Sequence, residues 1–127
     1  MTISASPARA FSGDLVLPYP PSVNHYWRSF AGRQIISREG RAYRAKAVSI
    51  VLRGRHIPMG RAPCNVSITV WLPDARRRDL DNLLKAPLDA LAHAGLYDDD
   101  SQIQVLTIRK AAIDRNNPRL EILVVAA

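Results

Sequence analysis

Asp79 and Asp81 are separated by one residue, with Arg76, Arg77 and Arg78 directly before them and Lys85 four residues after Asp81. Ionised carboxylates are oxygen ligands for hard divalent cations. Guanidinium and ammonium groups bind phosphate oxygens. One short segment, residues 76–85, therefore carries both kinds of chemistry. A second acidic cluster, Asp98, Asp99 and Asp100, follows it. The combination suits a protein that brings a metal ion to a nucleic-acid phosphate.

Side chains at i and i+2 share a face of an extended chain, so Asp79 and Asp81 can converge on one cation. Close carboxylates repel each other unless a cation or a proton intervenes. Simpler readings exist for each residue. Asp81 could cap a helix beginning at Asn82, and Lys85 could form an i, i+4 ion pair with Asp81 worth roughly 0.2–0.5 kcal/mol. The functional reading sets the Lys85 ammonium beside the scissile phosphate, where it offsets developing charge. A run of three acids can be a solvated turn, but in a basic chain it also suggests that at least one is held near a cation. His25, His56 and His93 have no mutual zinc-ligand spacing. His93 reads as structural or exposed. There is no phosphate-binding P-loop and no dinucleotide-binding glycine fingerprint.

The length of 127 residues suits one domain, and a hydrophobic content of 47% can build a core. A chain this short leaves much surface exposed, which a dimer would help to cover. The formal charge of +7, from 18 basic and 11 acidic side chains, favours polyanionic partners. Cys64 is the single cysteine, so an intramolecular disulfide and a thiolate metal cluster are excluded. It enters an apolar run and reads as a buried, inert thiol. Residues 1–12 read as a flexible leader without a signal-peptide core, and residues 13–127 as the folded domain. No apolar stretch approaches membrane-spanning length, and the expected location is the cytoplasm.

Several elements must position these groups. Residues 14–17 predict a strand, ended by the proline-rich residues 18–22. Residues 24–28 predict an ordered loop, and residues 30–36 a small turn or hairpin around Gly32. Ser37 predicts the cap of a helix running to about Arg53, with Tyr43, Ala47, Ile50 and Val51 on one face. Arg41, Arg44 and Lys46 fall largely elsewhere, towards solvent or DNA. Residues 65–72 alternate, with Val66, Ile68, Val70 and Leu72 facing one way, and predict a strand. Residues 82–94 predict a helix with a stripe of Leu84, Leu88 and Leu91, a Gly95 cap, and a kink or first-turn irregularity at Pro87. Residues 103–112 and 120–125 predict two strands joined as a hairpin. The sum is an α+β domain with a mixed sheet of about four strands and two main helices.

These residues resemble a family, the RusA-type Holliday junction resolvases, also called crossover junction endodeoxyribonucleases. The resemblance rests on three segments in order across residues 15–125. The first is Leu17-Pro18-Tyr19-Pro20-Pro21-Ser22-Val23-Asn24 followed by Tyr26 and Trp27. The second is Arg76-Arg77-Arg78-Asp79-Leu80-Asp81-Asn82-Leu83-Leu84-Lys85, continuing through Leu88-Asp89-Ala90-Leu91 to Gly95-Leu96-Tyr97. The third is Asp99-Asp100-Ser101-Gln102-Ile103. Pro87 and the longer acidic run depart from the family pattern, and so does the longer leader.

The resemblance implies a homodimeric, Mg²⁺-dependent nuclease, with Mn²⁺ able to substitute, that cuts four-way DNA junctions by paired symmetric cuts in recombination and repair. It implies Asp79, Asp81 and Asp100 as metal ligands and catalytic carboxylates, and Lys85 as the catalytic lysine. Arg78 and Asn82 match motif positions that support DNA or the metal, and Arg76 and Arg77 would hold the neighbouring backbone. Whether Asp98 or Asp99 also joins the metal stays open. The residues alone leave two other readings: a non-catalytic nucleic-acid-binding module, and a nuclease for other branched DNA or for RNA.

Overall fold

The computed structural model describes residues 13–54 and 56–127, so the expected leader lies outside the described residues. In chain order the elements are β1 (Gly13–Pro18), α1 (Val23–Tyr26), β2 (Trp27–Phe30), β3 (Arg33–Ile36), α2 (Arg38–Arg53), β4 (Cys64–Leu72), α3 (Lys85–His93), β5 (Ile103–Ile113) and β6 (Arg119–Ala126). Short 3-10 turns lie at Leu80–Leu83 and Asp100–Gln102. This is the expected α+β architecture. The main sheet has the order β1-β6-β4-β5, and β2 and β3 form a separate hairpin.

The alternation of β4 puts Val66, Ile68 and Val70 on the core face at 1% exposure or less. Leu15, Ile122, Ile68 and Ile108 form one row across all four strands. Tyr43 and Ala47 of α2, with Ala86, Leu88, Ala90 and Leu91 of α3, belong to the same buried cluster. Full burial of each aliphatic side chain stabilises the fold by roughly 1.5–3 kcal/mol.

The expected β5–β6 hairpin does not form. β4 lies between these strands, pairing parallel with β5 and antiparallel with β6. The connection steps over the end of β4, where the Asp114 amide donates to the Leu72 carbonyl at 2.8 Å. The physical reason is charge. β5 carries Arg109 and Lys110 in succession, one to each face, and Lys110 is in register with the buried Val70. A central strand would bury a cation, whereas an edge leaves both in water. Leu120, Ile122 and Val124 of β6 are at most 2% exposed and suit the interior. The α3 crossover makes the β4–β5 pair parallel.

Residues 24–28 also differ from expectation. Val23–Tyr26 is a single helical turn and Trp27 begins a strand. Ser37 does cap α2, its Oγ accepting from the Gly40 amide at 2.9 Å and donating to the His25 carbonyl at 2.6 Å. Gly40 permits this closeness, since a Cβ there would lie 2.6 Å from the Tyr26 carbonyl oxygen. Arg44 does not face solvent or DNA freely. Its Nε donates to Asp89 of α3 at 2.8 Å, and Asp89 also accepts from the Tyr26 hydroxyl. This clamp ties α1, α2 and α3 together.

The helix expected over residues 82–94 divides. A 3-10 turn comes first, and α3 begins only at Lys85. Pro87 thereby falls in the first turn, where its amide would have no helical partner, so no hydrogen bond is lost. Gly95, with φ +86°, ends α3. The Leu96 amide donates to Leu91 and the Gly95 amide to Ala92, a complete Schellman closure.

Candidate active site and nucleic-acid interface

The basic-acidic segment leaves the end of β4, and Asp74 organises its first turn. Asp74 accepts from the Arg76 amide at 2.9 Å and from both arms of the Arg78 guanidinium at 2.6 and 3.1 Å. The Arg78 hydrogen bonds, aided by the Arg76 amide, hold the Asp74 carboxyl far below the usual carboxylate range. Arg78 also stands over the Tyr19 ring at 5.8 Å. Burial raises the Tyr19 pKa. From the other side, Lys110 of β5 donates to the Arg78 carbonyl at 2.6 Å. Asp79 is thus preceded by a residue fixed at both side chain and backbone. Sequence reasoning passed over Asp74, although its i, i+4 spacing to Arg78 was a readable signal.

Asp79 takes the extended N-cap position of the 3-10 turn without a side-chain cap bond, and its carbonyl accepts from the Asn82 amide at 3.2 Å. Asp81 lies inside that turn. It neither caps a helix nor pairs with Lys85. Both carboxylates are exposed, and among the described residues neither has a side-chain hydrogen bond or ion pair. Lys85 opens α3 and places its ammonium 5.5 Å from the centre of the Trp27 ring. Trp27 in turn meets Tyr26 edge-on, at 5.2 Å between ring centres.

The second acidic cluster separates by role. Asp98 faces Arg61 at 3.8 Å on an exposed surface. Asp99 caps the Asp100–Gln102 turn, its carboxylate accepting from the Ser101 amide at 3.0 Å. Those Ser101 hydrogen bonds lower the Asp99 pKa, and the charge of Lys85 adds to the effect. Gln102 completes the box by accepting from the Asp98 and Asp99 amides and donating to the Gly60 and Ala62 carbonyls. The Asp100 side chain is half-buried and takes part in no hydrogen bond or ion pair among the described residues. Lys85 is therefore electrostatically linked to the second acidic cluster as well as adjacent in sequence to the first.

A cleft of about 590 Å³ joins two of the sequence segments. Tyr19, Pro20, Pro21, Ser22 and His25 form one wall, and Arg77, Arg78, Asp79, Asn82 and Leu83 the other. His25 was not among the expected site residues. It reaches the cleft because Val23–Tyr26 is helical, and its Nδ1 lies 3.2 Å from Ser22 Oγ. Arg77 is exposed and has no hydrogen bond or ion pair among the described residues. The Arg76 guanidinium makes only a 3.9 Å approach to Asp74.

The match to known proteins covers all of these parts. The family model described as "Endodeoxyribonuclease RusA" matches residues 18–125. The chain belongs to the RusA family of endodeoxyribonucleases. It is 42% identical over 111 residues to the crossover junction endodeoxyribonuclease of Enterobacteria phage 82, covering 87% of this chain and 91% of that protein. The corresponding protein of Escherichia coli strain K12 is 40% identical over the same shares. That of Enterobacteria phage HK97 is 40% identical over 93 residues, 73% of this chain and 78% of that protein. The RusA family region runs from the end of β1 to β6, so both cleft walls and both acidic clusters lie within it.

Asp79, Asp81 and Asp100 offer carboxylate oxygens with no partner among the described residues, which is the donor chemistry a hard divalent cation takes. Among the described residues no three His, Cys, Asp or Glu side chains are grouped as a ready-made metal cage. Mg²⁺ does not need one, because it keeps several waters and uses one or two carboxylates with substrate phosphate. No helix among the described residues is long and apolar enough to cross a membrane.

Proposed function

We propose that this protein is a Mg²⁺-dependent endodeoxyribonuclease that resolves four-way DNA junctions by paired symmetric cuts. The observation that carries the reading is a contrast among acids. Asp74, Asp89 and Asp99 are held by arginines, a tyrosine or backbone amides, while Asp79, Asp81 and Asp100 have no such partner among the described residues. Uncommitted carboxylates, with Asp79 itself lining a basic cleft, fit metal-assisted phosphodiester hydrolysis, and the family membership fits DNA as substrate. The names of the relatives, crossover junction endodeoxyribonucleases, support the four-way junction.

In this reading Asp79, Asp81 and Asp100 serve the cation, directly or through its waters, with Mn²⁺ able to replace Mg²⁺. When bound, the ion polarises the phosphate and lowers the pKa of water. Arg76 and Arg77 reach phosphates flanking the cut. Arg78 keeps Asp79 in place through Asp74, and its charge adds to the basic wall. Asn82 orients a phosphate or water oxygen within the cleft. Lys85 offsets charge that develops on the phosphate. Hydrolysis adds water across the P–O bond and leaves a phosphate end and a hydroxyl end.

A homodimer supplies two such sites for two symmetric cuts. β5 supports this part of the reading. It is an eleven-residue edge strand with Val105, Leu106 and Ile113 exposed at 55%, 38% and 44%. A second copy would cover this edge, which otherwise presents unpaired backbone groups.

Incubation of the protein with labelled four-way, flap and linear duplex DNA, with and without Mg²⁺, tests the function. Paired nicks across the four-way junction that need Mg²⁺ are expected. Cleavage that persists in the Asp81→Asn protein would remove the site assignment.

A further inference from the structure

We propose that the β2–β3 hairpin is a branch-point probe, with Phe30 stacking on an unpaired base at the crossover of the DNA and Arg28 and Arg33 on flanking phosphates. The proposal rests on the four-way junction reading above and adds a contact surface to it.

Phe30 is 60% exposed at the end of β2. A single exposed apolar residue is unremarkable on most surfaces. This one has a particular setting. The two-residue turn beside it, Ala31 and Gly32, has φ +52° and +76°. Positive φ at both turn residues is the tight hairpin geometry that matches strand twist. Ala31 adopts it without the freedom of glycine, so the tip has a defined shape. Arg28 lies over the Phe30 ring at 5.6 Å, and Arg33 is directly across the ladder from Phe30. An aromatic face with cations on either side is the chemistry that takes a nucleobase and its phosphates.

The hairpin is also aimed from the right place. Its first residue, Trp27, carries the Lys85 ammonium on its ring, and the preceding turn supplies His25 to the cleft. Phe30 lies three residues along the strand, roughly 10 Å from Trp27 at about 3.3 Å per residue. The hairpin thus extends from the rim of the cleft that holds Asp79. Trp27, Ile35 and Ile36 anchor its base by partial burial, while residues 28–34 are exposed. A rigid aromatic tip on a basic arm can part stacked bases, as apolar wedges do elsewhere.

The test uses full-length protein, wild type and Phe30→Ala, in metal-free buffer. The probes are a four-way junction with 2-aminopurine at the branch point and a linear duplex of the same arm sequence. Wild-type binding is expected to raise 2-aminopurine fluorescence as the base leaves its stack. Phe30→Ala should abolish that rise and weaken junction binding by roughly five- to 150-fold, the effect of one lost base–aromatic stack. Duplex affinity and sedimentation should stay unchanged, and Phe30→Trp should restore junction binding. An unchanged ratio of junction to duplex affinity overturns the proposal. So does a change of oligomeric state in Phe30→Ala, which would make the hairpin a contact between copies. Wild-type protein that fails to cut the junction in Mg²⁺ overturns the proposed function itself, and that result is read before any hairpin variant.

Discussion

The Lys85 ammonium rests 5.5 Å from the centre of the Trp27 ring and forms no ion pair with Asp81. An i, i+4 pair would have tied the lysine to the 3-10 turn before its helix. The indole holds it instead by the attraction of a cation to a π face. Lysine held this way has no carboxylate drawing on its N–H donors, so donors remain available to a phosphate. Trp27→Leu should lower single-turnover cleavage roughly two- to thirtyfold, matching a cation–π contact of about 0.5–2 kcal/mol. Junction affinity should change by less than twofold, and Trp27→Phe should recover much of the rate. Lys85→Ala should cost more, about a hundred- to a thousandfold. If either variant loses only affinity, and saturating enzyme restores the rate, Lys85 is a backbone contact.

Asp74 and Arg78 make a second test. Asp74→Ala removes the two hydrogen bonds that hold the side chain of Arg78, the residue before Asp79. It also frees a guanidinium beside the cleft. Cleavage is expected to fall by about tenfold from mispositioning. Equilibrium binding at low salt should stay equal or tighten, with a steeper salt dependence, because one more cation can release counterions. Undiminished cleavage in Asp74→Ala would separate this fork from catalysis.

Asp99 and Asp100 are neighbours with different work. Asp100→Asn should abolish cleavage and leave junction binding intact, as should Asp79→Asn and Asp81→Asn. Asp99→Asn keeps an oxygen for the Ser101 amide and should retain most activity. Asp99→Ala loses the cap and should unfold at a lower urea concentration than wild type. A fully active Asp100→Asn protein together with a dead Asp99→Asn protein would reverse the assignment.

Alkaline pH should unfold the protein through its tyrosines. Burial raises the pKa of Tyr43 and of Tyr97 well above the ordinary value of 10.0. Both therefore stay protonated in the fold while the unfolded chain ionises them. Their stabilising contribution is complete below pH 10 and declines as pH rises from there towards the folded pKa. Each contributes a slope of about 1.4 kcal/mol per pH unit in that range. Urea denaturation at pH 9 and pH 11 measures this. Tyr97→Phe should be less stable at pH 9, having lost its hydrogen bond to the Leu88 carbonyl, but should show a shallower decline above pH 10. Parallel declines in the two proteins would exclude Tyr97 as a source.

β5 gives the oligomer prediction. Leu106→Glu places a charge at a side chain that is 38% exposed in one chain, so the monomer should fold with little change. Sedimentation at micromolar concentration should show dimer for wild type and monomer for the variant. Paired cuts should then become single nicks. A wild-type monomer that still makes paired cuts contradicts the homodimer.

Local signals in the sequence determined a good part of this protein. The alternation of residues 65–72 specified β4, because a period of two leaves one buried face. Ser37 and Gly95 marked helix ends through cap chemistry that needs only neighbouring backbone. The two acidic clusters and the arginine run were visible as residue types, and the order of three motifs was enough to suggest the RusA family. Other features depended on contacts across the fold. The exclusion of β5 from the interior follows from whether Arg109 and Lys110 can stay hydrated when three other strands compete for the core. The choice of Trp27 over Asp81 for Lys85 needs α1 and β2 packed beside α3, a contact between residues 58 positions apart. The division of labour among Asp98, Asp99 and Asp100 comes from Arg61, Ser101 and Gln102, which decide which carboxylate is already satisfied. Residue type supplies chemical capacity, but only tertiary packing decides which groups spend it on the protein and which remain free for a ligand.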